Sequence, residues 1–335
     1  MKAIVTSLGQ VSIVSQPEPV LSDVSVLVKT IYSAISPGTE LGIIHNKTEI
    51  PHALGYSAVG EVLDVGSTVT DIKTGDIVAC YGGPYVHHSE ILNVPRTLCV
   101  KVPEGVSLKE AAFVGLGGIA IHGVRRAKLQ FGESVLVMGL GLLGQIISQV
   151  CYQANYQVIA TDINPIRCEL LNNYNSNVIC LRSDNNQQIK NRIYEITENF
   201  GVDAVIISAH STKVGLIDQA LDYVAPQGRV VVVGNIPTSY SRERFFQKEA
   251  DVVISRAAGP GRYDPQYEKQ AIDYPKSYVR WTEGRNISEY IRLVSENKIK
   301  IDHMITKEFH FHNAQEAYQT LQEDPTALGV IFKYE

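Results

Sequence analysis

Cysteine is scarce in this chain, and what there is lacks the spacing of a metal cage. The five cysteines among 335 residues are Cys80, Cys99, Cys151, Cys168 and Cys180. None forms a Cys-x-x-Cys pair, and several lie in apolar patterns. Buried free thiols are therefore expected, with no disulfide framework and no zinc knuckle. No apolar run approaches about 18 residues, so no membrane-spanning helix is expected. Basic stripes are missing too. Lys and Arg number 30 against 35 Asp and Glu, a net charge of −5. That argues against a general nucleic-acid binder, which needs clustered cations to displace counterions. The first residues, Met1 to Ser7, lack the apolar core of a secretion leader and read as a strand, so a cytoplasmic location is expected. What remains is an ordinary globular composition, 44% hydrophobic and 19% charged, long enough for two domains.

Patterning changes along the chain. Residues 1–115 read as β-rich, with short strands at 24–33, 58–65, 77–79 and 90–94 punctuated by Gly, Pro, Asp and Ser. From 116 to 258 strands and helices alternate. Strands are expected at 134–138, 157–161, 178–181, 204–208 and 229–233, and helices at 142–153, 165–174, 187–199 and near 213–224. Such alternation implies a parallel sheet with helices on both faces. Beyond 259 the pattern is irregular, then yields helices near 286–297 and 313–322 and a last strand at 329–333. The expectation is an α/β nucleotide-binding domain (116–258) inserted in a β-rich domain (1–115 and 259–335), with chemistry in the cleft between them.

The most telling stretch is Gly139-Leu140-Gly141-Leu142-Leu143-Gly144, set between an apolar strand and an amphipathic helix, with Asp162 ending the next strand. Three glycines at this spacing are common by chance. The strand, the helix and the acidic residue about 20 positions on make the pattern a dinucleotide-binding fingerprint. Gly139 permits the tight turn, Gly141 admits a pyrophosphate, and Gly144 lets the helix lie against the strand. The helix start, at Leu142 and Leu143, offers unpaired N–H groups and partial positive charge to phosphate. Asp162 would bind ribose hydroxyls and repel a 2′-phosphate, favouring NAD over NADP, with Ile163 beside it. Ser208, Ala209 and His210 and the pair Gly234 and Asn235 end later strands, where such sheets bind ligands, and are expected to face the cofactor.

The order of parts resembles the medium-chain dehydrogenase/reductase superfamily along essentially the whole chain. The resemblance includes Ser36-Pro37-Gly38-Thr39-Glu40, Leu54 to Gly66, Glu110-Ala111-Ala112 and the glycine turn. It implies a Rossmann-type doubly wound sheet inserted in a GroES-like catalytic domain. Segments 94–99, 259–268 and 274–286 are similar to a zinc-lacking branch. That branch includes the dehydrogenase half of bi-domain oxidoreductases of polysaccharide gene clusters and bacteriochlorophyllide dehydrogenases. The second module of those bi-domain enzymes has no counterpart in these 335 residues. Zinc enzymes of the superfamily supply Cys, His and a further Cys or acidic residue as ligands. The matching positions here hold Pro37 (or Ser36), Tyr56 and a residue near Leu116, which do not make a zinc site. His88 and Glu90 lie on an expected strand with no third ligand in view. No metal is expected.

Without zinc, a side chain must manage the substrate proton. Tyr56 stands where the resemblance puts a zinc-ligand histidine and is the first candidate. Thr39 matches a proton-relaying hydroxyl, and Glu40 is placed to orient that relay or bind substrate hydroxyls. Each also has a structural reading, Tyr56 as a packing ring and Glu40 as a salt-bridge partner. Arg262, Tyr263 and His122 are candidate contacts to a sugar-like or anionic substrate. The expected activity is zinc-independent, NAD(H)-dependent interconversion of a secondary alcohol and a ketone on a sugar or nucleotide-sugar derivative. Alternatives are reduction of a quinone or enone with NAD(P)H, and a non-catalytic nucleotide-binding role. Such folds commonly form homodimers or tetramers, and residues 230–233 and 252–255 are the expected edges.

Overall fold

The computed structural model describes residues 1–182 and 185–334, which form two compact units. One comprises residues 1–118 and 257–335, the other residues 119–256. No helix among the described residues is long and apolar enough to cross a membrane.

The second unit is a six-stranded parallel sheet. Its order is Ile179–Arg182, Gln157–Asp162, Ser134–Met138, Val202–Ile207, Val224–Val232 and Asp251–Ile254. This is the doubly wound order, reversing direction beside the first strand. The strands are nearly continuous apolar runs because both faces are covered by helices. Ser134–Met138 is buried at all five positions. On one face Leu136, Ile159, Val205 and Val230 pack against Ile189, Ile193, Ile217 and Leu221 of the helices Asn186–Ile196 and Leu216–Tyr223. The helices Leu142–Gln153 and Pro165–Tyr174 fall where the apolar spacing puts them.

In the first unit a seven-stranded mixed sheet is built around Ser25–Ala34, which pairs with Ser57–Val65, Ile91–Pro95 and Gly329–Lys333. A small sheet joins Lys2–Ser7 to Gln10–Ser15 and His52–Ala53. Ile4, Ile35, Leu54, Phe311, Tyr318 and Phe332 form a core here. The helix Pro37–His45, with Pro at its start, breaks the otherwise β-rich pattern and carries Thr39 and Glu40. Its alternating small and apolar residues give no clear helical stripe, which hides it from periodicity.

Three expectations need correction. Cys168 and Cys180 are disulfide-bonded, leaving Cys80, Cys99 and Cys151 as the buried free thiols. The helix Pro165–Tyr174 lies on the strand Ile179–Arg182, and their fold-back brings two cysteines 12 residues apart to a Cα separation of 5.6 Å, a distance a disulfide spans readily. Residues 230–232 are no sheet edge, since Val224–Val232 is paired on both sides and Asp251–Ile254 is the outer strand. His88 and Glu90 precede the strand Ile91–Pro95 and are not on it. His88 is fully buried.

Candidate functional site

The glycine turn and the strand ends around it come together at the carboxyl edge of the parallel sheet. Gly139 has φ +93°, a conformation glycine adopts without strain. A Cβ on Gly144 would sit 1.9 Å from the Gly139 carbonyl oxygen, so no larger residue lets the helix close on the strand. Above Gly141 a Cβ would meet nothing within 4 Å, and no side chain caps the helix that begins after it. The first N–H groups of that helix thus have neither a helical partner nor a cap, the arrangement an anion completes. Asp162 is buried, and its carboxylate accepts from the Leu140 N–H at 2.6 Å and the Asn164 N–H at 2.8 Å. Arg167 lies 3.5 Å away. Those bonds tie the second strand to the glycine turn and leave lone pairs for ribose hydroxyls. Ile163, 77% exposed, flanks Asp162 as a free apolar surface. Ser208 Oγ donates to the Gly139 carbonyl at 2.7 Å. A Cβ on Gly139 or on Gly234 would strike Ala209, at 2.8 Å and 2.0 Å. Ser211 N–H donates to the Asn235 carbonyl at 3.1 Å, joining the two strand ends beyond His210. These residues fit a dinucleotide.

Tyr56 sits in the first unit in a polar nest. Its phenol donates to Ser36 Oγ at 2.7 Å. The Thr39 hydroxyl is the other group near the phenol that favours its ionised form. Burial, reinforced by the nearby Glu40 carboxylate, pushes Tyr56 up to about 12, and these two hydroxyls only partly offset it. Tyr56 is thereby held as a proton donor. The Tyr81 ring stands edge-on to it, with centroids 6.1 Å apart. Glu40, 1% exposed, accepts from the Ser36 N–H at 2.7 Å and from the Tyr318 hydroxyl, and pairs with His88 Nε2 at 2.9 Å. Folding brings the sequence candidates Tyr56, Thr39 and Glu40 together. Sequence reasoning missed Ser36, Ser33, His88, Tyr318 and Tyr334. Ser36 was legible as the neighbour of Thr39. The two tyrosines lie far along the chain, and no spacing rule reaches them.

Two family models match. The alcohol dehydrogenase GroES-like domain covers residues 22–121, and the zinc-binding dehydrogenase family covers residues 143–273. The chain belongs to the medium-chain dehydrogenase/reductase superfamily. D-guloside 3-dehydrogenase of Shigella flexneri is 28% identical over 294 residues, 83% of this chain and 77% of its own. Sorbitol dehydrogenase of Halalkalibacterium halodurans is 22% identical over 357 residues, covering 96% of both chains. The solved structure of an alcohol dehydrogenase from a Thermus species superposes with TM-score 0.80 at 22% identity, covering 100% of each chain. This medium-chain dehydrogenase/reductase is therefore an oxidoreductase acting between alcohol and ketone, in a family that uses NAD or NADP.

The superfamily's zinc ligands do not map onto a zinc donor set here. Pro37 has no donor atom, Tyr56 is a protonated phenol that donates a hydrogen bond to Ser36, and Leu116 is a buried aliphatic. The nearby His88 has both ring nitrogens engaged, Nε2 with Glu40 and Nδ1 with Ser33 Oγ at 2.7 Å. Among the sequence candidates for substrate contact, Arg262 is tied both to its own loop and to the distant residue Gly83. Its Nη1 donates to the Gly83 carbonyl at 2.7 Å and to Glu268 at 2.8 Å, and its guanidinium lies 4.4 Å from the Tyr263 ring centroid. Tyr263 is 66% exposed. His122 belongs to the other unit. Burial, then the Arg126, Arg125 and Arg256 charges, push it down to about 4, so it is neutral at pH 7.

Proposed function

We propose that this medium-chain dehydrogenase/reductase is a zinc-independent, NAD-dependent enzyme that interconverts a secondary alcohol and a ketone on a sugar or polyol, with Tyr56 handling the proton. The carrying observation is the Tyr56 phenol. By the family resemblance it stands where zinc enzymes place a ligand histidine; it keeps its proton through burial and donates to Ser36, with Thr39 close by. When bound, the nicotinamide supplies or accepts the hydride. In ketone reduction Tyr56 donates its proton to the substrate oxygen as negative charge develops there. In alcohol oxidation it takes the proton back, helped by the Ser36 and Thr39 hydroxyls, which stabilise the phenolate. Glu40 keeps Ser36 in place.

Gly139, Gly141, Leu142, Leu143 and Gly144 hold the diphosphate, and Asp162 the ribose. Ser208 to His210 with Gly234 and Asn235 line the rest. Asp162 favours NAD because a 2′-phosphate would meet its carboxylate. The similarity to guloside and sorbitol dehydrogenases supports a sugar or polyol. Arg262 and Tyr263 form a wall against it, the ring suited to a sugar's C–H face. With Arg262 already matched by Glu268, a neutral sugar fits better than a nucleotide-linked one. His122 is a further, uncharged candidate for substrate contact. The outer strand Asp251–Ile254, with Ile254 60% exposed, is where two copies would pair into a homodimer.

Stopped-flow absorbance of the NADH band across a panel of sugars and polyols tests the reading. Turnover with NADH, lost in Tyr56→Phe, supports it. Turnover untouched by Tyr56→Phe removes the acid–base role.

A further inference from the structure

We propose that His88 is the positioning residue of the Tyr56 phenol, clamping it through Glu40 on one side and through the backbone beneath it on the other. This rests on the reading of Tyr56 as the proton donor, and it asks what holds that donor still.

Two independent paths join His88 to Tyr56. The first runs through side chains. His88 Nε2 pairs with Glu40 Oε2 at 2.9 Å, Glu40 Oε1 accepts from the Ser36 N–H at 2.7 Å, and Ser36 Oγ accepts from the Tyr56 phenol at 2.7 Å. The second runs through the turn that carries the tyrosine. His88 N–H donates to the Leu54 carbonyl at 2.7 Å. The imidazole lies flat against Gly55, where a Cβ would fall 2.8 Å from three of its ring atoms. Gly55 also has φ +93°. Glycine is therefore required twice over, for the backbone angle and for the ring packed on it.

The rest of the network fixes His88. Its Nδ1 meets Ser33 Oγ at 2.7 Å, and Ser33 meets the Tyr334 hydroxyl at 2.9 Å. Phe332 stands edge-on, with ring centroids 5.0 Å apart. With the imidazole proton on Nε2, every hydrogen bond in the chain from Tyr334 to Glu40 has one donor and one acceptor. His88 is 0% exposed and Glu40 1% exposed. A carboxylate so buried needs its donors, because losing one leaves charge uncompensated in an apolar setting. Removing the imidazole therefore frees Glu40 to turn and releases Ser36, and the phenol shifts with it. A metal-ligand role for His88 would need one ring nitrogen free, and both are in use.

The test places a single fluorotyrosine at position 56 in the full chain and reads its fluorine NMR line, with no substrate required. His88→Leu should shift or broaden that line and move the pH midpoint of the phenol. His88→Gln, which keeps an N–H near Glu40, should restore most of both. Should His88→Leu fail to fold, Ser33→Ala decides, with a smaller displacement in the same direction. An unmoved line in a folded His88→Leu or Ser33→Ala protein overturns the clamp. In turnover, His88→Leu should lower kcat roughly tenfold with KM nearly unchanged, and add nothing to Tyr56→Phe. An equal further loss on the Tyr56→Phe background also overturns it. The acid–base reading is judged separately. If Tyr56→Phe leaves turnover intact, that reading falls, while a displaced fluorine line still supports the clamp.

Discussion

The glycine turn and the Tyr56 nest are built on opposite principles. The turn is a backbone device: Gly139, Gly141 and Gly144 act through what they lack, and a single added Cβ at Gly144 collides with a carbonyl oxygen. The nest is a side-chain device. Ser36 and Glu40, from one helix start, and Tyr56, His88 and Tyr318, from three other segments, hold one another by hydrogen bonds. A backbone device tolerates changes around it and fails outright when it is filled. A side-chain network degrades by steps, each partner's loss weakening the next. The two regions should therefore respond differently to substitution.

Tyr56→Phe should give the largest effect, lowering kcat by roughly 10²–10⁴ with KM and cofactor affinity nearly unchanged. Because burial holds Tyr56 near about 12, the reductive rate of the unaltered protein should show no loss from its ionisation until pH climbs toward that value. A pH–rate profile measures this. On the other side, Gly144→Ala should weaken NADH binding roughly 100-fold by prising helix from strand, read by calorimetry. If both substitutions lowered affinity alike, the contrast between the two devices would be lost. Asp162→Ser should be milder, shifting the NADPH to NADH ratio of kcat/KM upward by roughly tenfold. An unchanged ratio would remove Asp162 from cofactor choice.

The last effect concerns stability and is confined to acid pH. His122 is depressed to about 4 from an ordinary 6.5. As pH falls below the ordinary value the unfolded chain takes up a proton that the folded chain refuses. Stability is then lost progressively down to the folded value. His122→Gln should cancel that part, roughly 1 to 3 kcal/mol between pH 5.5 and pH 4. Denaturant melts at neutral and acid pH measure it, and an identical acid sensitivity in the variant would argue against it.

The same contrast explains what could be read in the sequence. The parallel sheet was legible because its strands are apolar on both faces and its helices show regular spacing, as in Leu142–Gln153. The glycine turn was legible because backbone geometry writes itself as a local motif. Around Tyr56 only the neighbours Thr39 and Glu40 stood out. His88 drew notice only as a possible metal ligand on a strand. Its ring partners Ser33 and Glu40 lie 55 and 48 residues away, one on a strand and one on a helix, and they meet it only in the folded chain, where no local period can show it. The Cys168–Cys180 disulfide was missed for a related reason. Each cysteine sits singly in an element of its own, and the short helix-to-strand return that joins them is a tertiary fact.

In the proposed function, proton transfer by Tyr56 requires no zinc. The direct measurement is the rate of NADH-linked turnover after exhaustive chelation, with zinc quantified in the same sample. Full activity at negligible zinc content is the predicted result. Activity that vanishes with chelation and returns with one equivalent of zinc per chain would contradict it.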